Sequence, residues 1–183
     1  MDPLMAIEDL LLEPARCGFT HVIAIDGRAG AGKTVLAQNL SLYLSQNRSV
    51  EIVHCDQIYN GWELALGSNL TETLIATLKM VATGQRVDLP IFNWQKGEFD
   101  SVRSFEPPDV LIIEGVGSGQ RAVRKVASIT IWLDINPTIG LRRVLERDGY
   151  QIQAEMENWQ VSEEQHFLVE RTRENAHFIF STD

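Results

Sequence analysis

Cysteine is nearly absent. Cys17 and Cys55 stand far apart in 183 residues, with no CxxC spacing. That argues against a disulfide framework and a cysteine zinc site, and a reducing, cytoplasmic setting fits. Histidine is also scarce, and His21, His54, His166 and His177 share no metal-ligand spacing. Basic residues are outnumbered, with 16 Lys and Arg against 25 Asp and Glu and a formal net charge of −9. A nucleic-acid backbone would be repelled, so no nucleic-acid partner is expected, whereas local cations and backbone dipoles can still hold a small anion. No apolar run approaches the roughly 18 to 20 residues of a membrane span, so no membrane partner is expected either. The opening "MDPLMAIEDLLLEPARCG" has no early Lys or Arg and lacks the basic start of a secretory signal. It reads as a short amphipathic helix packed on the domain.

What is present is an ordinary globular balance, 44% hydrophobic and 22% charged, on a chain long enough for one domain over 1–183. Short apolar runs predict strands at His21 to Ile25, Val50 to His54, Val110 to Ile113, Ile129 to Leu133 and Phe178 to Phe180. Helical periods fall between them. "TVLAQNLSLYLSQN" spaces Val35, Leu36, Asn39, Leu40, Tyr43 and Leu44 helically. "LTETLIATLKMVATG" starts near Ser68 or Asn69 and stops at Gly84. "NPTIGLRRVLERDG" has Pro137 in its first turn and Gly149 as its stop. Gln151 to Asn175 reads as helix with Trp159, Phe167 and Leu168 facing inward. Gln85 to Asp109 reads as one long irregular segment. Apolar strands alternating with helices predict an α/β fold, a parallel sheet covered on both faces.

The sharpest local signal is "GRAGAGKT", Gly27 to Thr34, which fits G-x-x-x-x-G-K-[ST] between a strand and a helix. Gly27, Gly30 and Gly32 permit backbone angles closed to other residues, so several N–H groups can converge on one anion. The following helix adds its N-terminal partial charge. Gly27, Ala29, Gly30, Ala31, Gly32, Lys33, Thr34 and Val35 form the expected nucleotide cradle. Lys33 is expected on the β- and γ-phosphates and Thr34 on Mg²⁺. A guanine-reading N-K-x-D pattern is absent, since the candidate strand reads "IWLDINPT".

Ligands in open parallel sheets bind at the carboxyl ends of strands. "VHCDQIYNGW" leaves Asp56 there, followed by Tyr59 and Trp62, and "VLIIEGVGSG" leaves Glu114. Asp56 is placed to accept a proton or to hold the metal through water, and Glu114 sits where an acidic residue orients Mg²⁺. Tyr59, Trp62, Phe92 and Trp94 are expected near the acceptor, while Trp132 and Trp159 read as packing.

Together the phosphate loop, "DQIY", "PIFNW", "IIEGVGSG" and "LRRVLERDG" resemble, in order, the uridine kinase-like P-loop kinases, near phosphoribulokinase and pantothenate kinase. The resemblance runs roughly from Thr20 to Ala176. It implies a five-stranded parallel sheet with helices on both sides, ATP and Mg²⁺, and γ-phosphoryl transfer to the hydroxyl of a small, nucleoside-like acceptor. It also implies Asp56 as general base with Tyr59 beside it, Glu114 near the metal, and Arg142, Arg143 and Arg147 on a lid helix over the phosphates. The acceptor side would then occupy about 57–105 and the lid about 137–150. Arg143 and Arg147, spaced i, i+4, share a helix face independently of the resemblance.

Two departures keep alternatives open. Where nucleoside-specific members read close to Tyr-Asp-Phe, this chain has Phe92, Asn93 and Trp94, with Gly97 in place of a histidine. Loss of those polar readers questions uridine as the acceptor. Ile25-Asp26-Gly27 also resembles the opening of cytidylate kinases, although Gly61 to Phe99 offers only Lys79, Arg86 and Lys96 to hold a monophosphate. The alternatives are a cytidylate-type kinase, a P-loop ATP-binding switch with little turnover, and a GTP-driven enzyme.

Overall fold

A computed structural model of the chain describes residues 3–183, so Met1 and Asp2 of the expected first helix lie outside the described residues. In order, the elements are α1 (Pro3–Leu10), β1 (His21–Gly27), α2 (Lys33–Leu44), β2 (Val50–His54), α3 (Gly61–Leu64), α4 (Ser68–Ala82) and β3 (Val87–Asn93). They continue with β4 (Glu98–Phe105), β5 (Val110–Glu114), α5 (Arg121–Arg124), β6 (Ile129–Asp134), α6 (Pro137–Asp148), α7 (Gln153–Glu170) and β7 (Phe178–Ser181).

Five strands form one parallel sheet in the order β2-β5-β1-β6-β7. Successive side chains of a strand point to opposite faces, so apolar runs such as "HVIAI" feed two cores at once. Val22 and Ala24 join Val53, Leu111 and Ile113 on one face, beneath α4 and α7. Ile23 and Ile25 join Val110, Ile112 and Ile131 on the other, against Ala37, Leu40 and Leu44 of α2 and Ile7 of α1. The result is the expected three-layer α/β arrangement, with the first helix packed as anticipated.

Helix ends follow local chemistry. Asn136 caps α6 by accepting the Thr138 N–H at 2.9 Å, Pro137 opens its first turn, and Gly149 ends it at φ 99°. Beyond α4, Gly84 takes φ 67°.

Two expectations need correction. Gln85 to Asp109 is not irregular, because most of it is the antiparallel pair β3–β4, with a register shift between Ile91 and Phe92. Pro90 and the polar face of "EFDSVRSF" obscured the strand period; a two-stranded ribbon is edge on both sides, where proline is tolerated. Leu168 is 69% exposed, because the buried stripe of α7 runs Met156, Trp159, Glu163, Phe167. In α2 the inward stripe is Lys33, Ala37, Leu40, Leu44, leaving Val35 and Tyr43 outside it.

Sheet register sets the working edge. Ile25 pairs across to Glu114 and His54 pairs to the same Glu114, so β2 and β5 finish level and β1 runs two residues farther. The phosphate loop leaves the middle strand at that edge.

Candidate active site

The loop from Gly27 to Thr34 closes tightly at the sheet edge. Gly27, Gly30 and Gly32 all take positive φ, at 144°, 80° and 84°. At Gly30 the close approach matters as much as the angle, since a Cβ there would fall 2.3 Å from the Gly140 carbonyl oxygen of α6. Ala31 is buried within the loop, its N–H donating to the Arg28 carbonyl at 3.2 Å. Lys33 opens α2 and folds its Nζ back onto the Gly27 and Arg28 carbonyls, both at 2.8 Å. Burial lowers its pKa, opposed by the charges of Asp26, Glu114 and Glu163.

Two buried carboxylates missed in the sequence brace this loop. Asp26 Oδ1 accepts the N–H of Gly27 at 2.7 Å and of Gly117 at 3.1 Å, and Oδ2 accepts that of Gly119 at 2.8 Å. The loop after β5 is thereby stitched to the end of β1. Burial raises the Asp26 pKa, while the amides of Gly119 and Gly27 act against it. Glu163 reaches down from α7, wholly buried, and accepts the Ala29 N–H at 3.0 Å. Its other oxygen takes Arg28 Nη1 at 3.3 Å, and Arg28 also pairs with Glu164.

Metal-side donors meet where β5 ends. Thr34 Oγ1 donates to Glu114 Oε1 at 3.1 Å, and His54 Nδ1 lies 2.6 Å from the same oxygen. That hydrogen bond raises the His54 pKa. Only the register of β2 on β5 brings His54 there, and its sole sequence signal was standing two residues before Asp56. Asp56 follows in a single 3-10 turn, Cys55–Gln57. Burial, then the nearby Glu114 charge, push its carboxyl above the ordinary carboxylate range, which makes it a better proton acceptor.

These groups line one cavity of about 460 Å³. Its floor is Ala29, Gly30, Gly32, Lys33, Thr34 and Val35, with Asp56 and Glu114 to one side and Arg143 and Arg147 above. Arg143 Nη2 also donates to the Thr182 carbonyl at 2.7 Å, while Arg147 grips Asp148 through Nε and Nη2 at 2.7 and 2.6 Å. Arg142 is not brought in; it turns out to solvent, 3.8 Å from Glu146, because adjacent helical residues point about 100° apart. Gly27 and Ala31 sit behind the lining.

Tyr59, Trp62, Trp94 and Trp159 form an aromatic wall, and Gly115, Val116, Val144, Asp148 and Met156 also line the cavity. Trp159 was expected only to pack, yet it faces the cavity because α7 crosses above the loop. Phe92 does not line the cavity; it backs Trp94 edge-on, with ring centroids 5.3 Å apart. Asn93 and Gly97 build the β3–β4 turn instead. Asn93 Oδ1 accepts the N–H groups of Gln95 and Lys96, and Gly97 takes φ 72°. None of Lys79, Arg86 and Lys96 lines the cavity.

A profile of the phosphoribulokinase/uridine kinase family matches residues 22–182. The chain belongs to this family. It is 28% identical over 141 residues to a uridine kinase of Streptococcus equi subsp. zooepidemicus, covering 69% of this chain and 67% of that protein. It is also 28% identical to uridine kinase-like protein 3 of Arabidopsis thaliana over 153 residues, which are 75% of this chain but 33% of the plant protein. Among solved structures, one from Bacillus stearothermophilus, described as a possible uridine kinase, superposes with a TM-score of 0.64 at 21% identity. That match covers 98% of this chain and 100% of the other, and it supports the P-loop kinase fold.

Among the described residues, no helix is long and apolar enough to cross a membrane. Nor does any group of three or more His, Cys, Asp or Glu side chains stand ready to hold a metal alone. One hydroxyl with one or two carboxylates suits a magnesium ion that takes its other ligands from water and phosphate.

Proposed function

We propose that the chain is an ATP- and Mg²⁺-dependent kinase that transfers the γ-phosphoryl group to a hydroxyl of a small, nucleoside-like acceptor. One observation carries this reading: the phosphate loop, the Thr34–Glu114 pair, Asp56 and an aromatic wall share a single cavity. The free, buried Cys17 and Cys55 support a reducing, cytoplasmic location.

Each residue then has a task. The main-chain amides of Gly30 to Thr34 and the Lys33 ammonium bind the β- and γ-phosphates, Lys33 exchanging its loop carbonyls for phosphate oxygens. Thr34 and Glu114, with Asp56 acting directly or through water, hold the magnesium ion. When bound, that ion would supply positive charge that offsets the charge of the phosphates. Asp56 takes the proton of the acceptor hydroxyl. Arg143 and Arg147 brace the transferred group from α6, which serves as the lid. Positioning and charge stabilisation supply most of the acceleration.

The test is acceptor-dependent ADP release. With ATP, Mg²⁺ and a panel of nucleosides, sugars and vitamin precursors, the native chain is expected to release ADP with a subset of acceptors, and Lys33→Ala with none. An unchanged transfer rate in that variant, or release indifferent to every acceptor, would refute the reading.

A further inference from the structure

The acceptor side of the cavity offers ring faces and almost no free hydrogen-bonding edges. Trp62 packs on Trp94 with centroids 5.1 Å apart and on Trp159 at 5.9 Å, and Tyr59 adjoins Trp159 at 5.3 Å. The Trp94 indole N–H donates to the Asp56 carbonyl at 2.9 Å, and the Tyr59 hydroxyl donates to the Val116 carbonyl at 2.8 Å. Both polar tips are committed within the protein. An indole can only donate, so Trp62 and Trp159 have no means of accepting a base N–H. Val116, Val144 and Met156 complete this wall, and no Asn, Gln or His side chain lines the cavity. Of the three lining carboxylates, Asp148 is held by Arg147 and Glu114 by Thr34 and His54, which leaves Asp56 for the reacting hydroxyl.

From this we infer that the acceptor is an alcohol borne on a flat ring, stacked by its face on one of the mutually tilted indoles of Trp62, Trp94 and Trp159 while its hydrogen-bonding edge goes unread. The inference rests on the kinase reading for the hydroxyl and names what carries it. Stacking is tolerant, because every aromatic ring has a π-face, whereas a site that pairs with polar edges rejects analogues lacking them by several orders of magnitude. Ring identity is therefore selected weakly and ring flatness strongly.

Uridine, 3-methyluridine, which lacks the pairing N–H, and phenyl riboside, which has no polar edge, separate the two modes. Two readouts are taken on the full chain with Mg²⁺: ADP release with ATP, and quenching of tryptophan fluorescence with ADP present. All three ribosides are expected to quench, with affinities and kcat/KM within about tenfold of one another. Trp62→Leu and Trp94→Leu, at residues 40% and 41% exposed and so open to truncation without a buried void, are expected to raise acceptor KM about tenfold and leave ADP affinity unchanged. A preference of about a hundredfold or more for uridine over both analogues would overturn the inference and leave the kinase intact. Quenching by all three without ADP release would overturn the kinase and leave the face-binding subsite. Wild-type KM in both leucine variants would also overturn the inference.

Discussion

The two halves of this cavity are held together by different physics. On the phosphate side, buried carboxylates and main-chain amides fix the loop: Asp26 on Gly27, Gly117 and Gly119, Glu163 on Ala29, Glu114 on Thr34. On the acceptor side, rings lean on rings, and Phe92 supports Trp94 from behind. Directional bonds in a low-dielectric setting impose one geometry and are costly to break, whereas aromatic contacts tolerate tilt and exchange. One half of the cavity is thus fixed by directional bonds, and the other by contacts that tolerate tilt.

The comparison can be broken most severely at Lys33. Lys33→Ala is expected to lower kcat/KM by about a thousandfold or more while leaving acceptor-induced fluorescence quenching in place. Loss of both together in a folded variant would mean that the halves are not separable. Next comes Glu163. Its replacement by Ala leaves the Ala29 N–H without its acceptor and Arg28 with Glu164 alone, and about a tenfold weaker ADP affinity is expected by calorimetry. Glu163→Gln, which keeps an oxygen for that N–H, is expected to fall between; equal affinity in all three proteins would detach α7 from the loop. On the other side, Phe92→Ala is expected to raise acceptor KM severalfold, roughly three to ten, with ADP affinity untouched.

The smallest effect comes from the sheet edge. His177 Nδ1 accepts the Thr130 N–H at 3.0 Å, beside β7, and burial lowers its pKa. Below about pH 6.5 the unfolded chain takes up a proton that the folded chain refuses. Stability is therefore complete above that pH and declines as pH falls from there toward the folded pKa. Thermal melts are expected to lose about 2 °C over this window. His177→Gln is expected to flatten that dependence; an unaltered pH profile in the variant would remove His177 from the account. β7 leads directly to Thr182, whose carbonyl receives Arg143, so this edge bears on the phosphate half alone.

Legibility in the sequence followed the range of the interactions. The phosphate loop is a local motif, and its glycines, Lys33 and Thr34 could be read from eight consecutive residues, Gly27 to Thr34. Asp56 and Glu114 were legible because each ends an apolar run, and parallel register does the rest. Glu163 was not legible, since it sits 134 positions from Ala29 in a helix whose charges read as a solvated face. His54 meets Glu114 only across 60 positions of chain, through strand pairing. Trp159 shared the fate of Glu163, hidden in the same polar helix, and the β3–β4 ribbon was masked by Pro90. The family's general outline and three aromatics of the wall, Tyr59, Trp62 and Trp94, came from motifs; Trp159 and the packing that joins the rings came from tertiary contacts.

Helix α7 carries Trp159 and Glu163 four residues apart, a separation of about 6 Å along its axis. One rigid helix therefore presents a ring to the cavity and a carboxylate to the phosphate loop, so two walls of the cavity share a single support.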